Sequence, residues 1–161
     1  MIKEFFKKYK SYFISVAIAL GTGGLSALLT MKNMEIFDMV KKPPLSPPAI
    51  LFPIVWTILY ILMGISAAFI YEKRNESPDK VREALTTYAS SLIVNFSWSI
   101  IFFNLQAFFV AFIWIILLLF LIIITLVKYY SIDKKAALLQ IPYLIWVAFA
   151  TYLTLGIMLM N

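Results

Sequence analysis

FFVAFIWIILLLFLIIITLV, residues 108 to 127, runs for twenty residues with no charge and one hydroxyl, that of Thr125. A helix of about 20 apolar residues crosses the roughly 30 Å hydrocarbon core of a bilayer. This stretch therefore places the chain in a membrane, and its neighbours agree. Residues 43–71, 84–127 and 136–161 contain no Asp, Glu, Lys or Arg. Of the 161 residues, 63% are hydrophobic and 14% charged, against about 45–50% and 25% in an ordinary soluble domain. Working outward, the pattern predicts five spans at 11–31, 47–71, 83–104, 107–128 and 136–160. The fold class is an all-α membrane protein, a single domain over 1–161 built as a five-transmembrane-helix bundle.

The first span follows Lys3, Lys7, Lys8 and Lys10, the flank of a secretory signal, but its apolar stretch is too long and lacks an A-x-A site. A retained helix is expected. Five spans put the N-terminus and the loops after the second and fourth spans on one side, with 11 of the 14 basic residues. The positive-inside rule then predicts a multi-pass protein of the cell membrane with its N-terminus cytoplasmic and its C-terminus outside. The formal charge is +6, but the basic residues flank spans instead of forming a patch, so membrane lipid and not nucleic acid is the expected partner.

Cysteine and histidine are absent. Disulfides, thiolate zinc sites and His-ligated haem are excluded, and neither a metal site nor a cofactor is expected. No acid–base or nucleophile constellation stands out. The spans carry no Asp, Glu, Lys or Arg away from their ends, which argues against transport by charge relay. No internal repeat supports an inverted-repeat transporter.

What the spans do carry is aromatic. Phe52, Trp56 and Tyr60 recur every four residues; Asn95, Trp98 and Phe102 sit at i, i+3 and i+7; Trp146, Phe149, Ala150 and Leu153 form a third stripe. Residues so spaced share a helix face. Together the stripes would line a cavity for a flat, apolar or amphipathic molecule, with indole N–H groups as edge donors. Each alone reads equally as core or lipid packing. Asn95 needs a partner in hydrocarbon and serves either as inter-helical glue or as a ligand contact. Trp114, with no polar companion in its segment, reads as a residue of the interfacial aromatic belt. Small residues four apart, Ala17 with Gly21, Gly23 with Ala27 and Gly64 with Ala68, allow close packing within the bundle or against a second copy.

KKPPLSPPAILFPIVWTILYILMG, residues 41 to 64, opens the second span. Pro43 and Pro44 stiffen the loop, Ser46 is the expected helix cap and Pro47 falls in the first turn. Pro53, about two turns in, is expected to bend the helix and aim Trp56.

This stretch resembles the loop-to-helix signature of the TspO/MBR family, the tryptophan-rich sensory proteins and mitochondrial translocator proteins once called peripheral benzodiazepine receptors. VNFSWSIIFFN, residues 94–104, and IPYLIWVAFATYL, residues 141–153, resemble two further family segments in the same order. The resemblance implies a receptor or sensor, often homodimeric, that binds porphyrins such as protoporphyrin IX, and benzodiazepine-type ligands, in a cavity under the first long loop. It carries Trp56, Asn95, Trp98, Trp146, Ala148 and Phe149 to the pocket, and Pro43, Pro44, Leu45, Pro47 and Pro48 to the lid. Two alternatives follow from it: light-dependent porphyrin breakdown involving Trp56 and Trp146, or transport of porphyrin or another apolar solute. Aromatics usual in the family are replaced by Ile36, Phe37, Leu45 and Ile50, an acidic residue by Trp114, and an Asn by Thr154. Tyr152 is followed by no basic residue, so the sterol motif of animal members is incomplete.

Overall fold

A computed structural model describes all 161 residues, as helices and their connections with no strand. A short α1 (Ile2–Lys8) leads into α2 (Lys10–Thr30), which closes with a 3-10 turn at Met31–Asn33. The long loop contains α3 (Ile36–Met39) before α4 (Leu51–Glu72). Then come α5 (Pro78–Ser99), extended by a π-turn at Ile100–Asn104, α6 (Phe108–Ile132) and α7 (Lys134–Met160). Five of these, α2 and α4 to α7, are long and apolar enough to cross a membrane.

The five helices form a ring in the order α2, α4, α7, α6, α5, with the α2–α5 seam the most thinly packed. Short connections set much of this order, because helices joined by a few residues must lie antiparallel and adjacent. Asp133 alone separates α6 from α7, and its carboxylate accepts from the backbone N–H of Lys135 at 2.8 Å and Ala136 at 3.3 Å. One acidic side chain thus satisfies orphan donors at the start of α7 and reverses the chain. At the same basic end of the bundle Ser11 donates to Glu72, joining α2 to α4.

Glycine controls how closely α2 and α4 approach. A Cβ built on Gly64 would lie 2.5 Å from Cα of Val16, so backbone meets backbone there. Gly23 works similarly, with the Tyr60 ring over it at 2.3 Å from such a Cβ. Gly21 has nothing within 4 Å of its Cβ position, and with the exposed Ala17 it faces away from the bundle. The small pairs therefore divide between interior packing and an open face.

Several helix ends differ from the expected ones, for physical reasons. The third spanning helix, expected from residue 83, begins at Pro78, because Ser77-Pro78 is a start signal and water solvates its charged first turns. The start expected for the second span differs as well: α4 begins at Leu51, not at Pro47. Ser46 caps no helix. Its Oγ donates to the Pro43 carbonyl at 2.7 Å, closing a turn in which Leu45 has φ of 67°. A left-handed residue at the third position of such a turn is usually glycine, so the turn is held under strain.

Pro53 is consequently the third residue of α4, where its N–H would have had no intrahelical acceptor. It starts the helix and does not bend it. The interior proline is Pro142 in α7, whose missing N–H leaves the carbonyl four residues earlier, on Leu138, without its donor.

Candidate ligand-binding site

The aromatic stripe of α4 points into the ring. Trp56 and Tyr60 have ring centroids 5.5 Å apart. Phe52 meets Trp146 of α7 edge-on at 5.8 Å, and Trp56 meets Tyr143 at 6.1 Å. From α5, Trp98 stacks on Phe102 at 5.1 Å. Asn95 donates from Nδ2 to the Tyr60 hydroxyl at 2.9 Å. Aromatic pairs at these separations and tilts are mutually attractive, so the walls hold one another in place.

Between them is a cavity of about 130 Å³. Phe52, Trp56, Tyr60, Asn95, Trp98, Phe102 and Trp146 all line it. The α7 stripe is rotated from the expected one. Ala148 is exposed on the outside of the bundle, and Phe149 packs outside the cavity against Trp146 at 5.7 Å and Tyr152 at 6.2 Å. Ala150 and Leu153 line the cavity as expected, and Val147 and Thr154 join them. With 3.6 residues per turn, Trp146, Val147, Ala150, Leu153 and Thr154 make one stripe, with position 149 beside it and position 148 on the opposite face.

Sequence reasoning missed the α2 wall of Gly23, Ser26, Ala27 and Thr30. Its signal was size: a small-residue face leaves room for a ligand as readily as for a helix. Trp114 was also misjudged. Its indole N–H donates to Ser97 Oγ at 2.8 Å, joining α6 to α5.

The expected lid residues Pro43, Pro44, Leu45, Pro47 and Pro48 do not line the cavity. They anchor the loop beside it. Pro43 sits against Gly156, where a Cβ would come within 2.4 Å of the proline ring, and the Pro44 carbonyl accepts from Tyr152 Oη at 2.7 Å. Asn161 makes two bonds to the Lys41 backbone, at 2.9 and 3.0 Å. Leu45 and Ile50 are 85% and 67% exposed. The roof itself is Met34 and Phe37. Phe37 is buried and meets Phe52 edge-on at 4.8 Å, while Lys42 donates to the Phe37 carbonyl at 2.7 Å.

Chemically the lining is apolar and carries no charged side chain. Thr30 and Thr154 spend their hydroxyls on backbone carbonyls of Ser26 and Ala150, and Asn95 spends its amide on Tyr60. The indole N–H groups of Trp98 and Trp146 are buried with no hydrogen-bond partner in the protein. A buried donor without an acceptor is costly, and these two stand on facing helices of one cavity. Such a site suits a flat molecule that brings acceptors.

The comparisons with known proteins agree with this architecture. The chain is 33% identical over 159 residues to the tryptophan-rich protein TspO of Chlorobaculum tepidum, covering 96% of this chain and 98% of that one. It is 34% identical over 150 residues to protein CrtK of Rhodobacter capsulatus, covering 93% and 90%. With the human translocator protein it shares 31% identity over 139 residues, covering 86% and 82%. The profile of the TspO/MBR family matches residues 13–160, and with its five apolar helices and tryptophan-lined interior the chain belongs to that family of multi-pass membrane proteins.

Proposed function

We propose that this protein is a membrane receptor or sensor for porphyrin-type tetrapyrroles and other planar amphipathic molecules, bound in the aromatic cavity beneath the long loop. The observation that carries the reading is the pair of unpartnered indole N–H groups, Trp98 and Trp146, on opposite walls of a cavity without charge. A planar ligand stacks on the rings and its carbonyl or ring-edge acceptors take the two donors. Relatives are named as sensory and translocator proteins, in keeping with ligand recognition.

The cavity of about 130 Å³ is smaller than the roughly 300–1,000 Å³ of sites for drug-sized ligands. A macrocycle enters by displacing the roof, Met34 and Phe37, while the proline anchor stays on α7. The lysines and arginines gathered at one end of the bundle support a cytoplasmic N-terminus. A homodimer would pack through the open Ala17 and Gly21 face of α2, where close approach is free.

The test is a titration of the protein in lipid nanodiscs with protoporphyrin IX, read by tryptophan fluorescence in the dark and then under illumination. Saturable dark quenching, weakened at least several-fold by Trp98→Phe with Trp146→Phe, is the expected result. Light-dependent loss of the Soret band that requires Trp56 and Trp146 would favour porphyrin breakdown instead. No saturable quenching at micromolar ligand would overturn both.

A further inference from the structure

Four more buried polar atoms lack a partner, and all lie away from the ligand cavity: the hydroxyls of Tyr88, Tyr129 and Tyr143, and Oε1 of Gln140. Their residues are 6%, 0%, 1% and 1% exposed. They come from three helices, yet the chain directions bring them to one level. At 1.5 Å per residue, Tyr88 and Tyr143 start roughly 14–15 Å above the basic-end starts of α5 and α7. Helical side chains lean toward their own N-terminus, so both phenols reach down toward that end. Tyr129 lies roughly 5 Å from the basic-end finish of α6. Its helix begins at the other end, and its phenol leans up to meet them.

The contacts agree. The Tyr88 and Tyr129 rings are 6.3 Å apart, and the Tyr143 hydroxyl lies against the Ser91 side chain, whose own proton goes to the Tyr88 carbonyl at 2.7 Å. Gln140 donates to Ser66 Oγ at 3.2 Å, and Ser66 donates to the Ala136 carbonyl at 2.7 Å, which fixes the amide with its oxygen left over.

We propose that this layer is a buried hydration site, in which a small cluster of ordered water molecules is held by Tyr88, Tyr129, Tyr143 and Gln140. The stoichiometry fits water: three O–H donors and one free carbonyl acceptor share a layer, none in direct hydrogen-bond contact with another. Water both donates and accepts, and a buried water typically makes about three such bonds. An ion does not fit, because none of the four side chains carries a charge to compensate it. None of the four residues lines the ligand cavity. The site's existence does not depend on what that cavity binds.

Water-edited solid-state NMR on the full chain in lipid, with tyrosine labelled at Cζ, phenylalanine labelled in its ring and no ligand added, tests this. Magnetisation is expected to pass from water to Tyr88, Tyr129 and Tyr143 within milliseconds, each peak assigned by its loss in Tyr88→Phe, Tyr129→Phe or Tyr143→Phe. Transfer no faster than to the buried Phe102 ring would overturn the proposal. Melting temperature gives an independent reading on the same single variants. Loss of a water-bound hydroxyl lowers it by a few degrees, whereas removal of a dry, unpaired hydroxyl leaves it unchanged or raises it, and the latter result would also overturn the site.

Discussion

Asn95 of α5 donates to the Tyr60 hydroxyl of α4 at 2.9 Å, and this bond joins two helices that otherwise meet little across the ring. Tyr60 is also the ring that lies over Gly23 of α2. Three helices are thus positioned by one side chain at the base of the cavity. Inter-helical hydrogen bonds inside membranes are worth about 0.5–1.5 kcal/mol. Tyr60→Phe and Asn95→Leu should each destabilise the bundle by about that amount, and the double variant should cost less than the sum. A double-mutant cycle on unfolding in detergent checks it; strict additivity would mean that the bond contributes nothing.

The glycines supply a sharper contrast. Gly64→Ala drives a methyl against the Val16 backbone, which cannot yield as a flexible side chain can, and overpacking of this kind costs about 1–3 kcal/mol. Gly21→Ala meets nothing within 4 Å and should be neutral or stabilising by up to about 1 kcal/mol through helix propensity. Thermal denaturation of the two variants side by side decides the point. Equal melting temperatures would contradict the α2–α4 geometry.

Loop anchoring should control how fast a ligand enters. Asn161→Ala removes both bonds to Lys41, and Gly156→Ala pushes on the Pro43 ring. Either change should raise the association rate of protoporphyrin IX several-fold, with a smaller effect on cavity contacts once the ligand is bound. Stopped-flow quenching of tryptophan fluorescence measures this directly. Unchanged rates in both variants would show that entry does not pass under the loop.

The two prolines near tryptophans should behave differently. Pro53→Ala replaces a first-turn residue with no hydrogen bond to restore, so stability should change by less than about 0.5 kcal/mol and binding should hold. Pro142→Ala gives the Leu138 carbonyl a donor within α7 and straightens the segment four residues ahead of Trp146. Its tryptophan emission and porphyrin affinity should shift more than those of the Pro53 variant. The reverse ranking would return the bend to α4.

How much of this was legible in the residues follows from where the information resides. The spans were legible because a charge-free twenty-residue run has few other homes, and the α4 and α5 stripes because Phe52, Trp56 and Tyr60, and Asn95, Trp98 and Phe102, obey the helical period. The α7 stripe was misread at 148 and 149 because a helix apolar on all sides shows no preferred face, and rotation about its axis is set by neighbours. Trp114 could have been placed. It stands seven residues after Ala107, and Ser97 seven before Asn104, so a tight hairpin puts them at one depth. The loop's tethers to Asn161 and Tyr152 join residues more than a hundred positions apart, and no local pattern announces them.

Phe37 gives the cavity an intramolecular rival. Its ring occupies the roof against Phe52, so any bulky ligand competes with part of the protein before it makes a contact of its own. If the ring is withdrawn one-tenth of the time, the measured dissociation constant is about tenfold weaker than the intrinsic one. Substitutions along residues 31–50 then rescale every large ligand by a common factor while leaving their ranking intact. Selectivity is written in the walls, and sensitivity in the loop.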